Sequence, residues 1–456
     1  MTRLQKVALA IPFAVFLGIY TVSVGHGFVA DDFGWILDSR LSRIGDVPSL
    51  FFKSSGFYRP VVGLTFAANY AVFGNHPLGY GLTNLALAIA CGWLLYLVAR
   101  ELTLPSGAAI LTVALWLLNP HGINTAILWM SGRTALMLTL GSLAAVWLVL
   151  RGRPFAALAP AALALFAKEE AFLLPAILFM WWYAFRQGHL QRRTAVAWCV
   201  AAGALIAVYL ALRFQTGAMT PWTAPPYYRF TFKPAVVARN VWEYADRAMT
   251  FSAAVALLAF LLLRPAASYA WYSRRVVICG AAWIVGGYGL TMFLPVRSSL
   301  YACFPSVGAC LIAADLAARR WAVATPASRH AVAIAGIVAA IGMTPVYVIR
   351  NRASIANSRF SSSVLRDLNA ATAALPEGNT VVVIDDRTRR PNVETAFNVA
   401  LNEAFELASG RRLKFWVEPA LQNAALAGIV RPCPACARLT VTIRDGHVQA
   451  AGFYRQ

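Results

Sequence analysis

The sequence predicts a polytopic α-helical membrane protein of about eleven spans, followed by a small α/β domain outside the membrane. Three observations carry that reading. First, 59% of the 456 residues are hydrophobic and only 13% are charged, with a mean hydropathy of +0.60. Soluble domains carry roughly 45–50% apolar and 25% charged residues, so a single water-soluble domain is excluded, and disorder with it. Second, apolar runs close to span length recur up to about residue 350. Third, the character then changes: nine of the nineteen acids follow Asn357, and the apolar runs become short. The excess of 40 Lys and Arg over 19 acids does not indicate nucleic acid. The basic residues stand singly or in pairs between apolar runs rather than in one stripe. They read as loop charges beside anionic lipid, or as ligands for a phosphorylated substrate.

A span needs roughly 20 apolar residues, fewer where neighbouring protein shields it. On that rule the candidates are residues 7–24, 80–99, 108–118, 135–150, 155–167, 171–185, 195–212, 248–263, 276–294, 300–316 and 331–348. The first follows Arg3 and Lys6 and precedes no small-residue cleavage motif, so it reads as a retained span rather than a signal peptide. With the N-terminus inside, every inner loop is basic, from Arg3 and Lys6 to Arg319, Arg320 and Arg329. Glu101 and Asp315 are the only acids there. This is the positive-inside bias, and it places the chain from Asn351 onward outside. Two domains are therefore expected, residues 1–350 in the membrane and 351–456 beyond it.

In the tail, Pro376-Glu377-Gly378-Asn379 punctuates before a strand-like run at 380–384. An amphipathic stretch at 393–407 follows, then runs at 413–417 and 439–443. No catalytic motif is visible there; a lid, an acceptor-docking platform and simple stabilisation all fit. Cys91, Cys199, Cys279, Cys303 and Cys310 lie in or beside apolar runs, as small hydrophobes do. Cys433 and Cys436 form one C-x-x-C, too few ligands for a zinc site, and a local disulfide follows if the tail faces an oxidising compartment.

The membrane part holds ten acids, eight of them on the outer face in this topology. That face also carries Lys53, Arg59, Arg133, Lys168, Arg213, Arg229, Lys233, Arg239, Arg247 and Arg297. Carboxylates among cations suit a phosphate-bearing lipid substrate, with one carboxylate as base and the cations on the phosphate. Ordinary loop solvation is the alternative. Local motifs separate the two. After the first span comes Val29-Ala30-Asp31-Asp32-Phe33-Gly34-Trp35, where the acids also suit a helix N-cap. Then follow Phe57-Tyr58-Arg59-Pro60, the run from Gly74 through His76 and Tyr80 to Asn84, and Asn119-Pro120-His121. Trp129-Met130-Ser131-Gly132-Arg133, Lys168-Glu169-Glu170 and Pro295-Val296-Arg297-Ser298-Ser299-Leu300-Tyr301 complete the series.

This succession, from Asp31 to Tyr301, resembles the C-type (GT-C) glycosyltransferases, specifically the bacterial relatives of protein O-mannosyltransferases. That family shows an acidic pair after the first span, Tyr-Arg-Pro, Gly-Tyr-His-x-x-Asn, a Pro-His stretch ending in Trp-x-x-Gly-Arg, a Lys-Glu, and a late Arg with a Tyr. The departures are Gly81 where the family has its His, Asn119 for the first His of a His-Pro pair, and Asn124 for an acid.

The resemblance implies a GT-C-like membrane enzyme that moves a sugar from a polyprenyl-phosphate-linked donor to a hydroxyl, with inversion at C1. The acceptor is a lipid, a glycan or a protein, and the site faces the periplasmic side of a bacterial inner membrane. Partners are then the donor, the acceptor and membrane lipids, without nucleic acid. Asp31 is the expected base. Asp32 either orients the acceptor or binds a cation, and because adjacent helical residues cannot face the same way, one of the two is open to being only a cap. The resemblance assigns no definite cofactor, and a divalent cation stays open. For the donor phosphate the order of preference is Arg297, Lys168, Arg59, Arg being favoured for its planar fork. Arg297 beside Tyr301 also suits an aromatic belt, and Lys168 with Glu169 a plain ion pair. Arg229 suits donor binding or loop structure equally. His76 and His121 are acceptor or sugar contacts, or structural. A flippase is the rival class, but the charges gather at outer span ends and no internal repeat is found. A polysaccharide ligase would bind pyrophosphate with arginines and need no Asp pair.

Overall fold

A computed structural model of the chain describes residues 2–53, 56–185, 191–220, 223–385, 390–417 and 438–454. Cys433 and Cys436 lie outside the described residues. Helix α1 (Arg3–Tyr20) begins at a capping box between Thr2 and Gln5. The chain continues through α2 (Asp32–Asp38), α3 (Pro60–Phe73), α4 (Pro77–Glu101), α5 (Ser106–Leu117), α6 (Gly122–Leu128), α7 (Arg133–Leu150), α8 (Leu158–Ala167) and α9 (Leu174–Phe185). Then come α10 (Arg192–Gln215), α11 (Pro234–Leu262), α12 (Arg274–Tyr288), α13 (Ser306–Ala322) and α14 (Pro326–Ala371). Proline opens α3, α4, α11 and α14, where its missing N–H costs nothing.

Every apolar run expected to span coincides with a helix, but length separates them. Six helices are long and apolar enough to cross a membrane, or seven if α5 and α6, bent by 55° at their junction, form one broken span. The runs at 155–167, 171–185, 276–294 and 300–316 give helices of 10, 12, 15 and 17 residues. At 1.5 Å per residue, a 15-residue helix reaches about 22 Å, short of a ~30 Å hydrocarbon core. Length alone therefore supports six or seven spans, not eleven. The shortening has a local cause, because Lys168-Glu169-Glu170 interrupts the chain between α8 and α9.

The largest core lies among α1, α4, α5, α7, α8, α9, α12 and α13. Trp116, Trp181 and Trp283 are buried there, and their indole N–H groups donate to Cys303 O at 3.0 Å, Cys279 O at 3.0 Å and Phe304 O at 2.7 Å. Such pairing is what a buried indole requires. Where α12 crosses α13, Gly280 and Gly308 meet backbone to backbone, and a Cβ on Gly308 would collide with the Gly280 carbonyl.

Beyond α14 lie α15 (Val393–Phe397), α16 (Leu401–Ser409) and a four-stranded sheet. Its strands are β1 (Thr380–Asp385), β2 (Lys414–Val417), β3 (Arg438–Arg444) and β4 (His447–Tyr454), in the order β2-β1-β3-β4. β1 is parallel to both neighbours, and β3 pairs antiparallel with β4. Asp445 and Gly446 make that hairpin turn with φ of 51° and 82°, as a two-residue Asp-Gly loop does. The sheet does not stand apart. Helix α14 runs for 46 residues, about 69 Å, straight through the expected boundary at 350/351. Its far half packs Phe360, Val364 and Leu368 on the sheet, and the same core takes in Phe28, Phe33, Phe66 and Tyr80.

Candidate active site

The loop between α1 and α2 is held from several sides. His26 Nε2 lies 3.0 Å from Leu128 O. Gly27 has φ +115°, and a Cβ there would come within 3.1 Å of Ser358 Cβ on α14. Ala30 also has a left-handed backbone, with φ 49°. Asp31 and Asp32 then part company. Asp32 is fully buried: Oδ2 accepts from Val29 N at 3.1 Å, and Oδ1 from Ser131 N at 2.7 Å and Ser131 Oγ at 2.6 Å. Burial pushes its carboxyl up to about 7 against the pull of those hydrogen bonds. Three hydrogen bonds thus occupy most of the acceptor sites of the Asp32 carboxyl, and the side chain is enclosed by protein. Asp31 sits at the N-cap position of α2 but makes no side-chain cap bond, so the capping alternative is not realised. Burial raises its carboxyl above the usual range, and the Arg59 charge opposes that rise.

Arg59 comes from the turn that Pro60 converts into α3. Its Nε and Nη2 donate to Glu169 Oε2 at 2.8 Å and Oε1 at 2.5 Å, and its guanidinium lies 4.1 Å from the Phe57 ring centre. Burial pushes the Glu169 carboxyl up, but the Arg59 charge and hydrogen bonds outweigh it and hold the group well below the carboxylate range. Glu169 and Glu170 lie on a 3-10 turn, Glu169–Leu173, that follows an extended Lys168. That backbone swaps the expected pairing. Lys168 Nζ meets Glu170 Oε1 at 2.8 Å, both side chains almost wholly buried, and lies 4.9 Å from the Tyr301 ring centre. Tyr228, set edge-on against Phe57 at 5.1 Å, stands within electrostatic reach of Asp31, Arg59 and Glu169, and burial pushes its hydroxyl up to about 12. A cavity of about 460 Å³ opens beside this group, lined by Trp35, Asp38, Lys53, Phe57, Arg59 and Gly63, within the size range of small-molecule sites.

Asp31, Arg59, Lys168, Glu169 and Tyr301 are thus brought together, and Glu170 and Tyr228 join them. Sequence reasoning passed over both, although Glu170 stands in the same Lys-Glu-Glu and Tyr228 beside Arg229. The other residues lie elsewhere. Arg297 pairs with Glu243, which Arg239 and Arg247 also hold at 2.9 and 3.1 Å. Arg297 also neighbours Tyr244, which lies edge-on to Tyr301 at 6.2 Å. Arg229 donates to Ala224 O at 2.7 Å and shapes its own loop. His76 is exposed at the start of α4, where Asn75 donates to Leu407 O. His121 faces Arg247, Asp246 and Arg350, and its Nδ1 is buried without a partner among the described residues. Among the described residues no three His, Cys, Asp or Glu side chains converge on a metal position.

The departures from the motif have steric and hydrogen-bonding reasons. A Cβ on Gly81 would collide with the Val24 carbonyl, so the position admits no histidine. Asn119 Oδ1 accepts from His121 N at 2.8 Å, and Asn124 Nδ2 donates to Tyr20 OH at 3.1 Å. Asn119 thus pins backbone, whereas Asn124 joins side chains, its Oδ1 also accepting from Arg350 Nη1 at 3.3 Å. Arg133 is completely buried, donating to Asn84 Oδ1, Asn69 Oδ1 and Tyr80 O at 3.2, 2.7 and 3.2 Å, and ties α3, α4 and α7 together.

No known protein-family profile matches the chain. A stretch covering 22% of it is 35% identical to the protein O-mannosyl-transferase Tmtc1 of Drosophila melanogaster, and spans 13% of that protein's length. The crystal structure of ArnT from Cupriavidus metallidurans bound to undecaprenyl phosphate matches 96% of this chain and 93% of its own, with a TM-score of 0.55 and 15% identity. The Archaeoglobus fulgidus oligosaccharyltransferase, tethered to an acceptor peptide, matches 90% of this chain and 63% of its own, with a TM-score of 0.47 and 11% identity. By fold, the chain is similar to the ArnT structure over nearly its whole length, and six of its helices, or seven spans counting the bent pair, are long and apolar enough to cross a membrane.

Proposed function

We propose that the chain is an inverting glycosyltransferase that moves a sugar from a polyprenyl-phosphate-linked donor to a hydroxyl acceptor at the extracytoplasmic face of a bacterial inner membrane. The observation that carries this reading is Asp31, a carboxylate free of cap bonds beside Arg59, Tyr228 and two neutralised ion pairs. The acceptor proton passes to an Asp31 oxygen as the acceptor oxygen attacks C1 from the side opposite the phosphate. The C1–O bond to the phosphate breaks, and the lipid phosphate leaves with the electron pair. A phosphate needs charge stabilisation more than a proton. Arg59 and Lys168, held in place by Glu169 and Glu170, supply it, and Arg59 Nη1 makes no bond to the described residues. Arg297 becomes a secondary contact, since three arginines share its Glu243. Fit to a lipid is supported by a second cleft of about 1210 Å³ between α1, α5, α11, α13 and α14. It is lined by apolar side chains such as Leu111, Phe251, Val255 and Ala339, with Asn351 and Arg352 also in its wall.

The test is Asp31→Asn in purified protein with a labelled polyprenyl-phosphate sugar. Turnover is expected to fall by about 10²–10⁴, the usual worth of a positioned base, with donor affinity and melting temperature unchanged. Near-wild-type turnover in this variant removes Asp31 from the chemistry, and absence of any sugar release by the wild type removes the reading.

A further inference from the structure

The Asp31 loop is not self-supporting. Ala30 sits in a left-handed backbone region that a residue with a Cβ occupies only when its surroundings impose it. What imposes it comes from the far end of the chain. The Ala30 N–H donates to Ala396 O at 2.8 Å, a carbonyl that the five-residue helix α15 leaves free near its own end. One residue on, Phe397 is fully buried and its ring stacks on Phe33 of α2, with centroids 5.9 Å apart and planes at 27°. Helix α16 packs along α2. Ser358 of α14 abuts Gly27. On the other side, Asp32 is fastened to Ser131. Asp31 thus stands between an anchor in the membrane part and one in the C-terminal part.

We propose that the C-terminal α/β unit positions the catalytic loop, the Ala396 carbonyl and the Phe397 ring acting through Ala30 and Phe33 to place Asp31. This rests on the glycosyl-transfer reading for its effect on turnover, but not for the clamp itself. Phe397 is a positioning residue, since it reaches the reacting atoms only through α2.

Two readouts test it. Amide hydrogen exchange in segment 27–33 of the full-length protein in detergent is expected to rise at least tenfold in Phe397→Ala, with α4 and α7 unchanged. In the same variant, kcat with the labelled polyprenyl-phosphate sugar is expected to fall roughly 10–100-fold while the donor KM stays put, as befits a geometry lost at the base. Phe397→Leu, which keeps most of the bulk, should recover most of both and guards against a variant that fails to fold. Unchanged exchange in segment 27–33 in both variants overturns the clamp. Raised exchange with wild-type kcat overturns its catalytic role. A wild type that transfers no sugar at all but shows the exchange response defeats the glycosyltransferase reading and leaves the clamp supported.

Discussion

Replacing Asp32 by alanine would leave the Val29 and Ser131 N–H groups without acceptors in a site closed to water. An unsatisfied buried donor costs about 1–3 kcal/mol, so the melting temperature of Asp32→Ala should fall while that of Asp31→Asn does not. The two acids differ in pH response as well. Asp32 binds its proton more tightly in the folded state than in the unfolded chain, its pKa rising to about 7. Its contribution to stability is therefore full below the ordinary aspartate range and is lost as pH rises towards 7. Thermal melts between pH 5 and 8 should show that loss, and Asp32→Asn should flatten it. Asp31 must be deprotonated to accept a proton, so turnover falls on the acid side, through a limb placed above the ordinary aspartate value. The Arg59 charge lowers that limb, and Arg59→Met should move it upward in a pH–rate profile. The acids and cations themselves were legible, because their order along the chain repeats a known pattern. Which acid meets which cation was not. That pairing is decided by the 3-10 turn after Lys168, which turns Glu170 rather than Glu169 back to the lysine.

At the scale of the helices, apolar runs located nearly every long element, since a buried or lipid-facing helix is recorded as continuous hydrophobicity. Lengths were less legible, because a run of apolar residues extends past the point where hydrogen bonding stops. The strand β4 escaped notice although Asp445-Gly446 announces its hairpin; His447 to Tyr454 carries too few β-branched residues to stand out. The junction of α3, α4 and α7 was read as surface charge, since nothing in Trp129–Arg133 tells that the arginine turns inward. Its bonds make a prediction. Asn69→Leu removes the shortest hydrogen bond to the Arg133 guanidinium, and bonds to charged groups contribute about 1.5–3 kcal/mol. The protein in detergent should melt correspondingly lower.

Across the whole molecule, the basic inner loops predict that the sheet faces outward. In a variant stripped of its own accessible thiols, a cysteine at the exposed position Arg412 should react with a membrane-impermeant maleimide added to intact cells. One at the exposed position Arg153 should react only after lysis. The reverse pattern would invert the topology and the side on which the reaction is placed. The change in composition near residue 350 marks no break in the structure, since α14 runs through it, and the packing of the two parts on each other leaves no local trace in the sequence. Phe28 and Phe33 near one end of the chain and Phe397 and Phe405 near the other share one core, a long-range contact that no local pattern records.

The continuity of α14 turns a count of residues into an angle. Each residue of a helix advances the chain by 1.5 Å and rotates it by about 100°. The sheet and α15 are carried on the far half of that rod, so their bearing over the first loop is set by how many residues separate Tyr347, buried against α1, from Phe360, buried against the sheet. A single alanine inserted after the exposed Arg352 would swing the far unit by about 100° relative to the spans. Seven alanines would restore its phase to within about 20° but lift it by roughly 10 Å. Neither insertion returns Ala396 to Ala30. Chimaeras that exchange the outer unit between relatives should therefore work only when the helix is joined in phase and at equal length.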